Sequence, residues 1–151
     1  TSYDKCYDAF LSNINDADIL YPFEGETDEE FGDRLHNLLF MTFKKAIAKF
    51  KFSKTNLSRD DSTEMFDNEL RDAEIDIIGL LMLREYYRKQ LNFLASLKHS
   101  FSDKNWKSHD KSNQMNQYRQ ILKETNDEIR LLIIDNSYTS PSGELEGWWD
   151  E

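Results

Sequence analysis

Two stretches of this chain, residues 72–97 and 108–135, repeat their apolar side chains at helical spacing, and about ten residues separate them. The first carries Ile75, Ile78, Met82, Tyr86, Leu91, Leu94 and Leu97, thickened by Ile77, Leu81 and Leu83. A stripe this wide requires burial on more than one side. The second carries Met115, Tyr118, Leu122, Thr125, Ile129 and Leu132 at alternating steps of three and four, a heptad-like seam. Two helices of similar length on a short connection form an antiparallel hairpin, here about 40 Å long at about 1.5 Å per residue. Gly79 interrupts the first helix. Glycine costs about 1 kcal/mol there, so it either admits a close neighbour or is simply tolerated.

The rest of the chain agrees with long elements and few turns, since its 151 residues contain 5 glycines and 2 prolines. Residues 2–11 form a short helix capped by Ser2, with Tyr3, Tyr7, Phe10 and Leu11 on one face. Residues 12–26 lose the repeat, hold Pro22 and Gly25, and read as a loop. Thr27-Asp28-Glu29-Glu30 is a capping box that opens a second helix. Phe31, Leu35, Leu38, Leu39, Phe43, Ile47 and Phe50 mark its apolar face. Residues 51–58 are a connector with Phe52 and Leu57 as buried anchors, and residues 60–68 form a polar, partly mobile stretch. The expected fold is all-α: a helical bundle domain over residues 1–136, built on the hairpin, and an extended C-terminal arm over residues 137–151.

No constellation for turnover is present. His36, His99 and His109 lack ligand spacing, and no HExxH, CxxC or calcium-loop motif occurs. His109 and Asp110 are adjacent at a helix start and point in different directions. Glu29, Glu30 and Asp33 stand where a helix dipole favours acids. Glycine-rich phosphate loops and nucleophile elbows are missing, and Cys6, the single cysteine, reads as a small semi-buried residue. Neither catalysis, nor a metal, nor a cofactor is expected.

Charge narrows the partners. A net charge of −10 disfavours unspecific nucleic-acid binding. Lys44, Lys45, Lys49, Lys51, Lys54 and Arg59 nevertheless form a run without an acid, while residues 16–33 hold eight acids and no base. This basic run could meet phosphates or remain a solvated surface. It could also pair between subunits, with Lys44, Lys45 and Lys49 of one copy meeting Asp28, Glu29 and Asp33 of the next, head to tail in a ring. The tail from Ser137 ends in Leu145, Trp148 and Trp149 among Glu144, Glu146, Asp150 and Glu151. Tryptophans on a short polar segment suit a binding arm; docking back on its own bundle is the alternative. The longest apolar run, Ile75–Leu83, is far below the roughly 20 residues of a membrane span. The expectation is a soluble protein made in the cytoplasm, its chain beginning at Thr1 after loss of an initiator methionine.

From Phe50 to Tyr138 the chain resembles the head–tail adaptor (neck or connector) proteins of tailed bacteriophages. The likeness lies in Phe50-Lys51-Phe52-Ser53-Lys54-Thr55-Asn56-Leu57 and in Leu70-Arg71-Asp72-Ala73-Glu74-Ile75-Asp76-Ile77-Ile78-Gly79 running on to Arg84-Glu85-Tyr86-Tyr87. It continues in Ser102-Asp103-Lys104-Asn105-Trp106-Lys107, in Leu122-Lys123-Glu124-Thr125-Asn126-Asp127-Glu128-Ile129 and in the closing Asp135-Asn136-Ser137-Tyr138. Arg71 stands where that family usually shows Ser or Thr before the long helix. The resemblance implies a small helical bundle in a ring, usually dodecameric, that joins the portal to the tail in the virion neck after assembly in the host cytoplasm. It implies a ring wall made of the long hairpin and an arm in which Tyr138, Leu145, Trp148 and Trp149 engage the portal or downstream neck or tail proteins. DNA would only pass through the lumen, which the acidic surplus would keep from holding it. The alternative is a cytoplasmic helical interaction or regulatory protein that binds its partner through the tryptophan tail.

Overall fold

The computed structural model describes residues 1–100 and 109–138. It is all-α apart from one two-stranded ribbon. In order, the elements are α1 (Tyr3–Leu11), α2 (Ala17–Leu20), α3 (Asp28–Lys49), β1 (Arg59–Asp60), β2 (Met65–Phe66), α4 (Asp72–Ser100) and α5 (His109–Ser137).

Helix α1 begins at Ser2, whose hydroxyl accepts from the Asp4 amide at 3.2 Å. It buries Tyr3, Cys6, Tyr7 and Phe10. Helix α3 begins with the expected capping box: Glu30 N–H donates to Thr27 Oγ1 at 3.2 Å, and Thr27 N–H to Glu30 Oε2 at 3.0 Å. Its Leu39, Phe43, Ala46 and Ile47 are buried. Tyr3 and Phe43 rings lie 4.2 Å apart, and Phe66 meets them at 5.2 and 5.8 Å, so an aromatic cluster ties α1, α3 and β2 together.

Three expectations are corrected. The loop over residues 12–26 contains α2, one helical turn too short to show a repeat; buried Ile14 and Ile19 hold it against the bundle. The polar stretch 60–68 is an antiparallel ribbon, with Arg59 opposite Phe66 and Asp60 opposite Met65. Its turn closes at Glu64, whose φ of 52° is left-handed. Backbone pairing extends to the start of the chain: Ser2 bridges Met65, and the Phe66 amide donates to the Thr1 carbonyl at 2.7 Å. Phe52, the expected anchor, is 69% exposed. The connector is held instead by its polar groups, which bind Glu74 and leave Phe52 facing out, while Leu57 is half-buried.

The ribbon also clips two helices together through its acids. Asp61 accepts from the Tyr3 hydroxyl at 2.7 Å and pairs with Lys44 at 3.2 Å. Glu64 accepts from the Tyr7 hydroxyl at 3.2 Å and meets His36 Nε2 at 2.9 Å. A sequence pattern tuned to apolar spacing misses such a device.

Helix α4 is the axis, touching α1, α3 and α5. From Ile77 to Leu83 every residue is buried, as the wide stripe requires. Gly79 faces α1 so closely that a Cβ there would lie 2.8 Å from Ala9 Cβ and 3.0 Å from the Ala9 carbonyl carbon. Of its two readings, the close neighbour is the one observed. At the start of α4, Glu74 is fully buried and accepts from Ser53 Oγ, Thr55 Oγ1, and the Lys54, Thr55 and Arg71 amides. The Arg71 amide bond is the reciprocal half of a capping box, the Glu74 amide donates to the Arg71 carbonyl at 3.0 Å in place of a Ser or Thr hydroxyl, and the helix begins at Asp72. Helix α5 runs antiparallel to α4, and Arg71 donates to Asn136 Oδ1 at 2.6 Å where the two ends meet. Its buried Met115, Thr125 and Ile129 follow the expected seam, which continues to a buried Asn136. The helix extends through Ser137, one residue past the expected domain boundary. Among the described residues beyond Tyr87 the core narrows to Leu94 and Met115, flanked by Leu91, Ala95, Leu97 and Tyr118.

Candidate functional site

A half-open groove of about 260 Å³ lies between α3 and α4. Its apolar lining is Leu38 and Met41 from α3 and Tyr86 from α4. Lys45 and Lys89 line it from opposite helices, and Asn37, Thr42 and Gln90 add neutral hydrogen-bonding groups. Met41 is exposed, off the main stripe of α3. The Tyr86 hydroxyl donates to the Asp16 carboxylate, which brings the start of α2 against this region. Burial, then that bond, pushes the Tyr86 phenol well above its ordinary range, so it remains a neutral donor.

Glu85, buried and itself part of the groove lining, binds cations from both helices. It accepts from Lys49 Nζ at 2.7 Å and Arg88 NH1 at 3.4 Å, with Arg84 Nε at 3.8 Å. Burial, then the nearby Arg88 charge, lowers the Arg84 pKa, and its other face donates to Asn126 at 3.4 Å. Lys49 and Arg88 thus hold Glu85, while Lys45 and Lys89 line the same groove, on one side of a strongly acidic chain. Such a surface can attract a carboxylate-rich segment while its apolar lining accepts a large side chain.

The sequence-predicted residues are distributed as follows. Lys44 pairs with Asp61 and Lys49 with Glu85 inside the chain, both remaining partly exposed, whereas Lys45 lines the groove. Asp28, Glu29 and Asp33 are exposed at the start of α3. They lie about 18 to 26 Å from Lys45 at about 1.5 Å per residue, so the two sets cannot meet within one copy. Tyr138 is exposed just past α5, beside exposed Leu131 and Ile134 on the same helical face. Leu145, Trp148 and Trp149 lie outside the described residues.

Lys89, Arg88, Met41 and Tyr86 were not singled out as site residues. The available signal was two off-stripe residues: Met41 on α3, and Lys89 one step beyond the Arg84–Arg88 pair on α4. Cys6 is fully rather than partly buried, and burial pushes its thiol up to about 12. Among the described residues no group of three or more His, Cys, Asp or Glu side chains could hold a metal. Among them, too, no helix is long and apolar enough to cross a membrane.

The YomZ prophage protein family matches residues 1–138, which covers the bundle and the groove but not the tryptophans of the tail. No curated protein and no solved structure matches the chain.

Proposed function

The chain belongs to the YomZ prophage protein family, and on that premise we propose that it is a virion structural protein: a head–tail adaptor, or neck, subunit whose ring joins the portal to the tail. The observation that carries this reading is the agreement between prophage membership and the phage-neck resemblance of residues 50–138. Supporting it is the arrangement of charge along α3, acidic at one end and basic at the other, which suits head-to-tail contact between copies. The long α4–α5 hairpin forms the ring wall, and the segment from Ser137 serves as the arm toward the portal or the next neck or tail protein. The work is binding rather than turnover, with no cofactor. A net charge of −10 keeps the lumen from holding the DNA that passes through it.

The test is to induce the prophage and weigh what it makes. Quantitative mass spectrometry of purified particles should find the chain at a copy number near that of the portal, about a dozen per particle. Its deletion should leave filled heads and separate tails. Particles that lack the protein, with normal yield after deletion, would overturn the reading in favour of a regulatory role off the virion.

A further inference from the structure

We propose that the groove between α3 and α4 receives the C-terminal segment Glu144–Glu151 of a neighbouring copy. This deepens the assembly reading and rests on it, by naming the seat of the arm on the next subunit.

Both halves of the contact are legible in side-chain chemistry. The segment carries Glu144, Glu146, Asp150 and Glu151, no base, and the apolar Leu145, Trp148 and Trp149. The groove offers the complement. Lys45 and Lys89 line it, Glu85 in the same lining is already matched by Lys49 and Arg88, and Leu38, Met41 and Tyr86 supply apolar surface. An indole between two ammonium groups gains cation–π attraction, and a thioether at a ring edge adds a further contact. At about 260 Å³ the space suits large side chains of a peptide rather than a cofactor.

Chain geometry favours the neighbour's tail over the chain's own. Helix α5 ends beside Arg71, at the start of α4. The groove lies near residues 85–90, about 24 Å farther along α4 at about 1.5 Å per residue. Ten residues from Tyr138 to Trp148 span about 34 Å when fully extended. A chain's own tail would use about 24 Å of that span along α4, and only about 10 Å would be left to carry it from the α5 side round to the α3 side. A neighbouring copy meets no such constraint, and repetition of the contact propagates the head-to-tail arrangement.

The full-length chain tests this in a Trp106→Phe background, so that emission reports the tail indoles alone. Emission should shift to the blue as concentration rises, in step with the mass seen by sedimentation at low salt. Lys45→Glu with Lys89→Glu, both at exposed positions, should weaken association at least tenfold. Trp148→Ala with Trp149→Ala should do the same. Mixing these two variants should yield pairs but no larger species, because one intact groove then meets one intact tail. The milder Lys45→Gln with Lys89→Gln should weaken association less, and circular dichroism checks that each variant stays helical. A blue shift independent of concentration overturns the proposal, because the tail then seats on its own bundle. Charge-reversed protein that associates like the parent also overturns it, while the virion measurement above still decides the adaptor reading separately.

Discussion

Helix α4 passes through two different environments. Its first half, to Tyr87, is enclosed by α1, α3 and α5 and is buried nearly all round. Its second half leaves α1 and α3 behind, and among the described residues its core there is Leu94 against Met115. One element thus belongs to a closed bundle at one end and to a two-helix projection at the other. Helical propensity is similar along it; stability is set by how many neighbours bury each turn. The groove lies at the junction of the two regimes, where α3 parts from α4 and residues 85–90 turn from core to surface.

The comparison can be broken most forcefully at its closed end. Phe43→Ala removes the ring between Tyr3 and Phe66 and should cost about 3–5 kcal/mol. Urea unfolding followed by circular dichroism should show the whole chain losing its transition. A projection that keeps its helicity would mean that the halves fold separately.

Next in size is Glu74→Gln, which weakens a hub that binds the connector to α4 and should cost about 1–3 kcal/mol. Burial alone would raise the Glu74 pKa, but bonds from the Thr55 side chain and amide, the Arg71 amide and Ser53 outweigh it and hold it below the ordinary 4.5. The stabilisation is therefore complete above about 4.5, the unfolded value, and is lost as pH falls through the lower folded value. Wild-type thermal stability should decline in that acid window, and the variant's curve should be flatter there. Parallel curves would remove Glu74 from the acid response.

Gly79→Ala sets two opposed effects against each other. Helix propensity gains about 1 kcal/mol, but the new methyl meets Ala9 at 2.8 Å, with backbone atoms of Ala9 and Phe10 at 3.0 and 3.1 Å. Overpacking costs about 1–3 kcal/mol, so the net should be a loss of about 1 kcal/mol, read as a lower melting temperature. A gain would show that α1 can move away from α4.

The most local effect belongs to the projection. Leu94→Ala should cost about 2 kcal/mol or less, the low end for such truncations, because the open seam can close over the gap. Its signature is local: amide exchange should quicken around residues 90–100 while the Ile77–Leu83 amides keep their protection. Uniform acceleration would make the whole hairpin one cooperative unit.

The sequence was most legible where structure depends on neighbours three or four residues away. Thr27 and Glu30 form the expected box, the stripe of α4 announces its multiple packing partners, and the seam of α5 is found where its spacing put it. What stayed hidden depends on contacts between distant segments. Asp61 and Glu64 look like surface acids until α1 supplies Tyr3 and Tyr7. Glu74 looks like one more first-turn acid until Ser53 and Thr55 arrive to meet it. Phe52 looks like an anchor because its hydrophobicity is visible and the polar clamp beside it is not. The groove has the same character: Lys45 and Lys89 stand 44 positions apart in the sequence, and only the packing of α3 on α4 makes them neighbours.

The seam of α5 repeats at Met115, Leu122, Ile129 and Asn136, one step every seven residues. Such a repeat acts as a ruler. Adding one heptad to each helix of the projection would move its tip outward by about 10 Å and rotate it only by about 20°. A single added residue would instead swing everything beyond it by about 100° and misalign the two helices. Reach can therefore change in whole strides while the closed bundle and its groove stay as they are.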